Sequence, residues 1–553
     1  MTPAYTVATE TLTVLLPELA MILVALAMMT VGAFVRLPRK IWAATTALTM
    51  VVGVLLLVAV KGTVPDLYSA VAINDALSGY SRLYLLLMGL VVVGLAHNMV
   101  DDARAAEFFG SLLLIHAGAM LVAAANELVL MFVGLELVSI PTYLLLYLPR
   151  KTTTTQEAAA KYFFLSIFSS ALLLFGMAYL YGLTGVSNLK ALSFLVHSAN
   201  LPHVPQAQLG VIAVVFMVAG LGFRVAAVPF HFYAPDVYQG SPTVVAALLA
   251  WVPKAVGFLA MIRALSAVLG GSNPVADKAV VLCWILAVVT MTLGNTVALA
   301  QSNLKRLLAY SSIAHAGYLM IGMTVAFRND PTHGAAYLGT QGVLFYLTTY
   351  ALMTLGAFGV VIAASTPERP VETVDDLAGL ARSRPFLAVC MALCMFSLAG
   401  VPPMAGFWGK LQIFASALYV GAGDDAMTFQ VLAIIGVLNA AIGGYYYLRI
   451  VVKMFFWPPQ GVPNLSKSAW PTTLAVGACA SLSLFFGLRP DALNSASREA
   501  AVAAIALPDP MLVPTSPPRQ AHRDSSRTAL TRSAINSFLG QTADRETSQG
   551  FDL

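Results

Sequence analysis

Four ionisable residues stand inside long apolar stretches of the chain: Glu136 in FVGLELVSIP, Arg224 in GLGFRVAAVPFH, Lys254 in LAWVPKAVGF and Lys410 in LAGVPPMAGFWGKLQIF. A charge at the centre of a membrane helix costs about 2.5–3.5 kcal/mol on insertion scales, so groups of this kind must pair with one another or line water. One acid and one base could be a static ion pair that only holds a bundle together. Three bases on separate segments leave two with no acid to neutralise them, which favours a path for charge. Lysine is the useful type for moving a proton, because desolvation weakens its hold on the proton and a nearby carboxylate strengthens it. Arginine does not deprotonate in proteins. Arg224 can therefore set the field at Glu136 but is a poor proton donor.

Other polar residues carry two readings each. His315, in LLAYSSIAHAGYLMIG, shares a stripe with Ser311, Ser312 and Tyr318. That stripe suits a water chain for protons, or a neutral imidazole satisfied by hydroxyls. Lys161, in EAAAKYFFLSIFSS, either snorkels to the surface or points inward beside Glu136. His231 reads as structural, and His97 and His116 as helix-packing residues. Lys305 and Arg306 read as anchors at a membrane face, and Trp408 beside Lys410 as packing. Glu18, in LLPELAMI, is expected near the outer end of the first apolar segment, hydrated by water or headgroups. Cys283, Cys390, Cys394 and Cys479 lie in apolar runs with no flanking His or acid. They read as small core residues, with no metal site, disulfide framework or iron–sulfur spacing.

The elements that must position these residues follow from composition. Apolar residues make up 59% of the 553 and charged residues only 10%, against about 25% in soluble domains. A string of soluble domains is excluded, and a net charge of +5 is too small for a nucleic-acid footprint. The chain reads as an all-α polytopic membrane protein with about 14 transmembrane helices of about 20 residues each. Expected spans lie near 11–35, 41–60, 82–99, 107–125, 127–148, 159–184, 207–228, 242–267, 277–301, 305–327, 335–364, 385–420, 427–457 and 469–488. Most loop cations (Arg36, Arg39, Lys40, Arg104, Arg150, Lys151, Lys161, Lys305, Arg306, Arg369, Arg382, Arg384, Lys453, Lys467) then share one side. Fewer (Lys61, Arg82, Lys190, Arg263, Lys278, Arg328) fall on the other. The positive-inside rule places both termini outside the cytoplasm. From 489 onward the chain is polar and rich in Pro, Ser and Arg, and is expected to be largely disordered, with a short surface helix possible over 493–506.

Two of the charges sit beside backbone breakers. Pro229 and Pro235 follow Arg224, while Gly400, Pro402, Pro403 and Gly406 precede Lys410. Interrupted helices at matching places in two halves point to inverted repeats with a site near the midplane. The expected division is an N-terminal three-span segment over 1–106, a first repeat over 107–267, a second over 277–457, a last helix over 458–488 and the tail over 489–553.

Three motifs in this order, GLGFRVAAVPFHFYAPDVYQGSPT with the following Lys254, QSNLKRLLAYSSIAHAGY and LAGVPPMAGFWGK, resemble the antiporter-like membrane subunits of respiratory complex I, the bacterial NADH-quinone oxidoreductase. The variant PDVYQGSP is similar to the N-type members. The resemblance covers about 10–490. It implies fourteen spans, with inverted five-helix repeats in spans four to eight and nine to thirteen. It also implies a proton route whose positions fall on Glu136, Arg224, Lys254 and Lys410, with Lys161 matching a sixth-span lysine and His315 a polar tenth-span position between the halves. The family usually has lysine where this chain has Arg224, so proton loading passes to Lys254 and exit to Lys410. Quinone reduction in other subunits would drive the transfer. No dinucleotide-binding glycine turn is present, so NADH, FMN, iron–sulfur clusters and quinone are expected in partner subunits and no cofactor on this chain. Implied partners are a neighbouring antiporter-like subunit, small membrane subunits and lipids in a bacterial cell membrane, and no nucleic acid. Two rival readings use the same residues: a Na⁺/H⁺ antiporter subunit, and a non-conducting structural subunit of the complex.

Overall fold

A computed structural model describes residues 3–505 except 64, 149–151, 199–203, 270–273, 329–334, 367–369, 421–425 and 460–468. Arg150, Lys151, Arg369 and Lys467, and the tail from 506, lie outside the described residues. In chain order the helices are α1 (Pro3–Val14), α2 (Leu16–Phe34), α3 (Arg39–Ala59), α4 (Ala76–Ala96), α5 (Ala105–Ala124), α6 (Leu128–Tyr147) and α7 (Thr153–Thr184). Next come α8 (Leu189–Ser198), α9 (Val204–Val225), α10 (Ala234–Gly240), α11 (Thr243–Ala260), α12 (Ser266–Leu269), α13 (Pro274–Leu299) and α14 (Leu304–Phe327). The last are α15 (Ala335–Ala364), α16 (Leu380–Ser383), α17 (Pro385–Ala399), α18 (Ala405–Tyr419), α19 (Ala426–Phe456), α20 (Trp470–Leu488) and α21 (Asp491–Ile505). Pairing between extended residues is confined, among those described, to isolated bridges such as Ala72–Ala125. The protein is a multi-pass, all-α membrane protein.

Twelve helices among the described residues are long and apolar enough to cross a bilayer, against about fourteen expected. Two expected spans fall outside that set. The helix α14 begins with Lys305 and Arg306 and carries a polar stripe, which lowers its hydropathy. The stretch 385–420 is cut at 400–404 into α17 and α18, each too short to qualify alone. Helices that are apolar all round belong in the interior. Accordingly α11 and α15 are buried along their apolar length, whereas α2 and α3 leave most of theirs exposed for lipid.

Both expected interruptions are present. Helix α9 ends at Val225, Ala226 takes φ 59°, the Val228–Pro229 peptide is cis, and α10 resumes at Ala234. Helix α17 ends at Ala399, Gly400 takes φ 86°, the Pro402–Pro403 peptide is cis, and α18 resumes at Ala405. Proline cannot donate the helical hydrogen bond and disfavours helix in the residue before it, so each break frees backbone groups inside the bundle. Close helix contacts rest on small residues. A Cβ on Gly317 of α14 would lie 2.5 Å from Met291 N of α13, and one on Gly409 of α18 would lie 2.3 Å from the Tyr346 ring of α15.

Candidate functional site: a line of buried polar groups

Glu136 and Arg224 meet across α6 and α9. Arg224 Nη2 donates to Glu136 Oε1 at 2.8 Å, and Ser170 Oγ of α7 donates to the same oxygen at 2.5 Å. Arg224 Nη1 donates to Leu135 O at 3.0 Å and Ser139 Oγ at 2.6 Å. The carboxylate side chain is 24% exposed and the guanidinium 5%. The planar fork thus grips one helix at three points, which a single ammonium cannot do.

Lys161 does not join that pair. Its ammonium donates to Asp236 Oδ2 at 2.8 Å and lies 2.7 Å from Glu157 Oε1, half-exposed at the end of α7. Arg306 donates to the other oxygen of Asp236 at 2.6 Å. Burial works to raise the Asp236 carboxyl, but the hydrogen bonds from Lys161 and Arg306 outweigh it and hold the group below the usual carboxylate range. Lys305 donates to Gln239 O at 2.7 Å and Ser241 O at 2.8 Å. Lys305 and Arg306 therefore clamp α14 to α10, a more specific role than topological anchoring.

Lys254 sits on α11 among residues that are all buried, and is itself 1% exposed. No carboxylate pairs with it among the described residues. One turn before it, Ala250 O lies 3.5 Å from Ser312 Oγ of α14. Tyr238 of α10 reaches the same place, its hydroxyl donating to Leu249 O at 3.1 Å and lying 3.4 Å from Ser312 Oγ. His315 is the next residue of that α14 face, one turn beyond Ser312.

The surroundings of His315 are tyrosines. Its Nδ1 shares a short hydrogen bond with the Tyr346 hydroxyl, and its Nε2 lies 2.8 Å from the Tyr447 hydroxyl. Tyr447 is 2.5 Å from Ser311 Oγ and 3.3 Å from the Tyr446 hydroxyl. Tyr446 reaches Asn295 Oδ1 at 3.0 Å, and Asn295 Nδ2 donates to the Tyr318 hydroxyl at 2.9 Å. The ring of Tyr318 carries the Lys410 ammonium 5.0 Å from its centre. Helices α13, α14, α15 and α19 each supply a member of this network.

Lys410 is held by the break that precedes it. Its Nζ donates to Leu398 O at 2.8 Å and Ala399 O at 3.1 Å. These are free carbonyls at the C-terminus of α17, where the helix dipole also favours a cation. The break is pinned to α20: Ser483 Oγ donates to Ser397 Oγ at 2.9 Å, and Trp408 Nε1 donates to Gly487 O at 2.8 Å. Trp408 is thus a half-buried packing residue whose indole N–H also finds a hydrogen-bond partner.

Sequence reading misplaced three buried cations and acids. Glu18 is fully buried rather than hydrated, gripped by Arg82 of α4 through Nε at 2.7 Å and Nη2 at 2.6 Å. Arg263, expected at a loop end like Arg82, donates to both oxygens of Asp75 at 2.6 Å and to Ala123 O. In each case an acid distant in sequence neutralises the base, and no local spacing reveals it. His116 packs as expected, with Nδ1 2.7 Å from Leu112 O. The four cysteines are buried and unpaired.

With this geometry established, the likeness to known proteins is specific. Residues 125–439 match the family described as NADH:quinone oxidoreductase/Mrp antiporter, transmembrane. NADH-quinone oxidoreductase subunit N of Trichlorobacter lovleyi is 38% identical over 89% of this chain and 97% of its own. The subunit of the same name from Paramagnetospirillum magneticum is 34% identical over 88% and 96%. A chain of respiratory complex I from Thermus thermophilus with bound aureothin superposes with a TM-score of 0.70 at 33% identity, over 86% of this chain and 98% of that one. A chain of the Mrp complex from a Dietzia species gives 0.76 at 19% identity, over 91% and 98%, a likeness of fold alone. The chain belongs to the NADH:quinone oxidoreductase/Mrp antiporter membrane family and, within it, to the subunit N group of NADH-quinone oxidoreductase.

Proposed function

We propose that this chain is a proton-translocating membrane subunit of NADH-quinone oxidoreductase in which Glu136, Arg224, Lys254, His315 and Lys410 form the transfer line. The observation that carries the reading is the run of hydroxyl, amide and imidazole contacts from His315 through Tyr447, Tyr446 and Asn295 to Tyr318 under Lys410. Lys254 at one end has no neutralising acid among the described residues, and Lys410 at the other rests on backbone carbonyls, so each can hold or release a proton as the local field changes. Arg224 keeps its charge throughout and sets that field at Glu136. Lys161 belongs to the Asp236 cluster and steadies α10 instead of carrying protons.

Protons reach Lys254 from a cavity of about 720 Å³ at the α11 N-terminus, lined by Asp101, Arg104, Thr155, Ser241, Lys305 and Glu372 among others. Ser241 and Tyr238 lead from it toward Ser312. On this reading the redox chemistry of NADH, FMN, iron–sulfur clusters and quinone resides in partner subunits, and the driving change arrives from neighbouring membrane subunits. The segments 107–267 and 277–457 act as inverted repeats around the line, in a bacterial cell membrane with both termini outside the cytoplasm.

Assembled complexes carrying Lys254→Ala or Lys410→Ala test the reading. Quinone reduction coupled to proton movement should fall in both while electron transfer to an artificial acceptor persists. Full coupled turnover in both would refute the line and favour a structural subunit. A requirement for Na⁺ in unchanged complex would favour the antiporter reading.

A further inference from the structure

The network beneath Lys410 contains one member that cannot carry a proton. Asn295 of α13 stands between the Tyr446 and Tyr318 hydroxyls and is fully buried. A hydroxyl or an imidazole can accept a proton at one moment and give one at the next. An amide cannot, because its oxygen only accepts and its nitrogen only donates.

Which end of the amide faces which tyrosine is fixed by the backbone. Asn295 Nδ2 donates to Met291 O at 2.8 Å and to the Tyr318 hydroxyl at 2.9 Å, and Asn439 Oδ1 of α19 lies 3.4 Å away on the same side. Turning the amide over would set its oxygen against the Met291 carbonyl, two acceptors with no hydrogen between them. Asn439 is held in the same way: its Nδ2 donates to Ile435 O at 3.0 Å, which keeps its oxygen toward Asn295. The Asn295 oxygen is left for Tyr446, which donates to it at 3.0 Å, while the contact of Tyr446 with Tyr447 is longer, at 3.3 Å. Gly443, one turn past Asn439, makes the room. A Cβ there would lie 3.0 Å from Asn295 Oδ1 and 3.4 Å from the Tyr446 hydroxyl. The hydroxyls and imidazole around His315 therefore end at an acceptor that passes nothing on, and Tyr318 receives an N–H that is not given up.

We infer that Asn295 is an insulating, positioning residue within the transfer line. It sets the direction of the hydroxyls on both sides, and protons cross between the His315 cluster and Lys410 only when the amide is out of line. Such a link stops protons running back between the two sides at rest. The inference rests on the transfer line proposed above.

Asn295→Asp and Asn295→Leu, each in the whole complex reconstituted in vesicles, test it. A carboxyl group has the amide's shape but can both accept a proton and give one, so Asn295→Asp bridges the link and should lower the number of protons moved per quinone reduced. Leucine neither passes a proton nor orients a hydroxyl. Asn295→Leu should therefore slow coupled turnover by about tenfold, the rate equivalent of one buried hydrogen bond, and leave the ratio as it was. A merely structural asparagine predicts the same ratio in both variants. An unchanged ratio in Asn295→Asp, an equal drop with leucine, or full turnover in Asn295→Leu overturns the inference. Lys254→Ala, measured alongside, separates the two claims. A lowered ratio there beside an unchanged Asn295→Asp removes the insulating link alone, whereas an unchanged ratio in Lys254→Ala removes the line and the link together. A map of the unchanged complex that resolves ordered water needs no variant: the link predicts no water bridging the Tyr446 and Tyr318 hydroxyls past the amide, and a water seen there overturns it.

Discussion

The Lys410 ammonium lies 2.8 Å from Leu398 O, a carbonyl left free because the helix ends at Ala399 and the residue four places on, Pro402, has no N–H to give. A Cβ at Gly400 would come 3.0 Å from Lys410 Cδ, and the backbone there has φ 86°. Left-handed backbone in a residue other than glycine costs about 1–3 kcal/mol. Gly400→Ala should therefore lower thermal stability by about that amount and displace the lysine, reducing coupled turnover more than a surface substitution of equal destabilisation. Thermal inactivation and coupled turnover measured on the same preparation check both halves.

Tyr447→Phe deletes the hydroxyl that joins His315 Nε2 to Ser311 and Tyr446. Leaving buried partners unsatisfied costs about 1–3 kcal/mol. The expected outcome is an assembled complex with slowed coupled turnover and an enlarged solvent deuterium effect, measured by comparing rates in H₂O and D₂O. An unchanged isotope effect would place the slow step elsewhere.

Arg224→Lys keeps a positive charge beside Glu136 but cannot also bond Leu135 O and Ser139 Oγ. The complex should assemble with near-normal turnover and a thermal stability lower by about 1–3 kcal/mol. Arg224→Met, which leaves Glu136 without its cation, should fail in both. Loss of assembly already in Arg224→Lys would make the fork a structural requirement.

Glu18 and Arg82 are both fully buried and joined through two hydrogen bonds. Removing one partner of such a pair costs about 3–5 kcal/mol, while replacing both with apolar residues is often close to neutral. Arg82→Met should sharply reduce the amount of assembled complex, and Glu18→Met with Arg82→Met should recover most of it. Equal loss in single and double variants would contradict a simple ion-pair clamp.

Asp236 holds its proton less readily than an ordinary carboxylate because Lys161 and Arg306 stabilise its charged form against the opposing effect of burial. A depressed folded-state value means the contribution is present above the unfolded value of about 3.9 and is lost as pH falls through the folded one. Asp236→Asn should therefore destabilise the α7–α10–α14 contact at neutral pH, and the difference from unchanged protein should vanish in strong acid. Hydrogen exchange at α10 as a function of pH measures this.

The membrane class and both helix interruptions were legible because apolar run length and proline placement are local properties of the chain. So were Glu136, Arg224, Lys254 and Lys410, since a charge inside an apolar run is conspicuous whatever its partner. What was not legible depends on contacts between distant segments. Glu18 looked like a hydrated end residue because Arg82 is remote in sequence, and Lys161 looked turned toward Glu136 because its partner Asp236 is 75 residues away on another helix. The tyrosines around His315 were hidden for a different reason: Tyr346, Tyr446 and Tyr447 sit in apolar segments where an aromatic is ordinary, and only the fold turns their hydroxyls toward one imidazole.

The central claim is that protons pass sideways from Lys254 through the His315 network to Lys410. Its most direct test is the number of protons moved per quinone reduced by complex reconstituted in vesicles, with Lys254→Ala compared against unchanged complex. A lower ratio in the variant, with electron transfer to an artificial acceptor intact, is the predicted result. An unchanged ratio at unchanged turnover would contradict it.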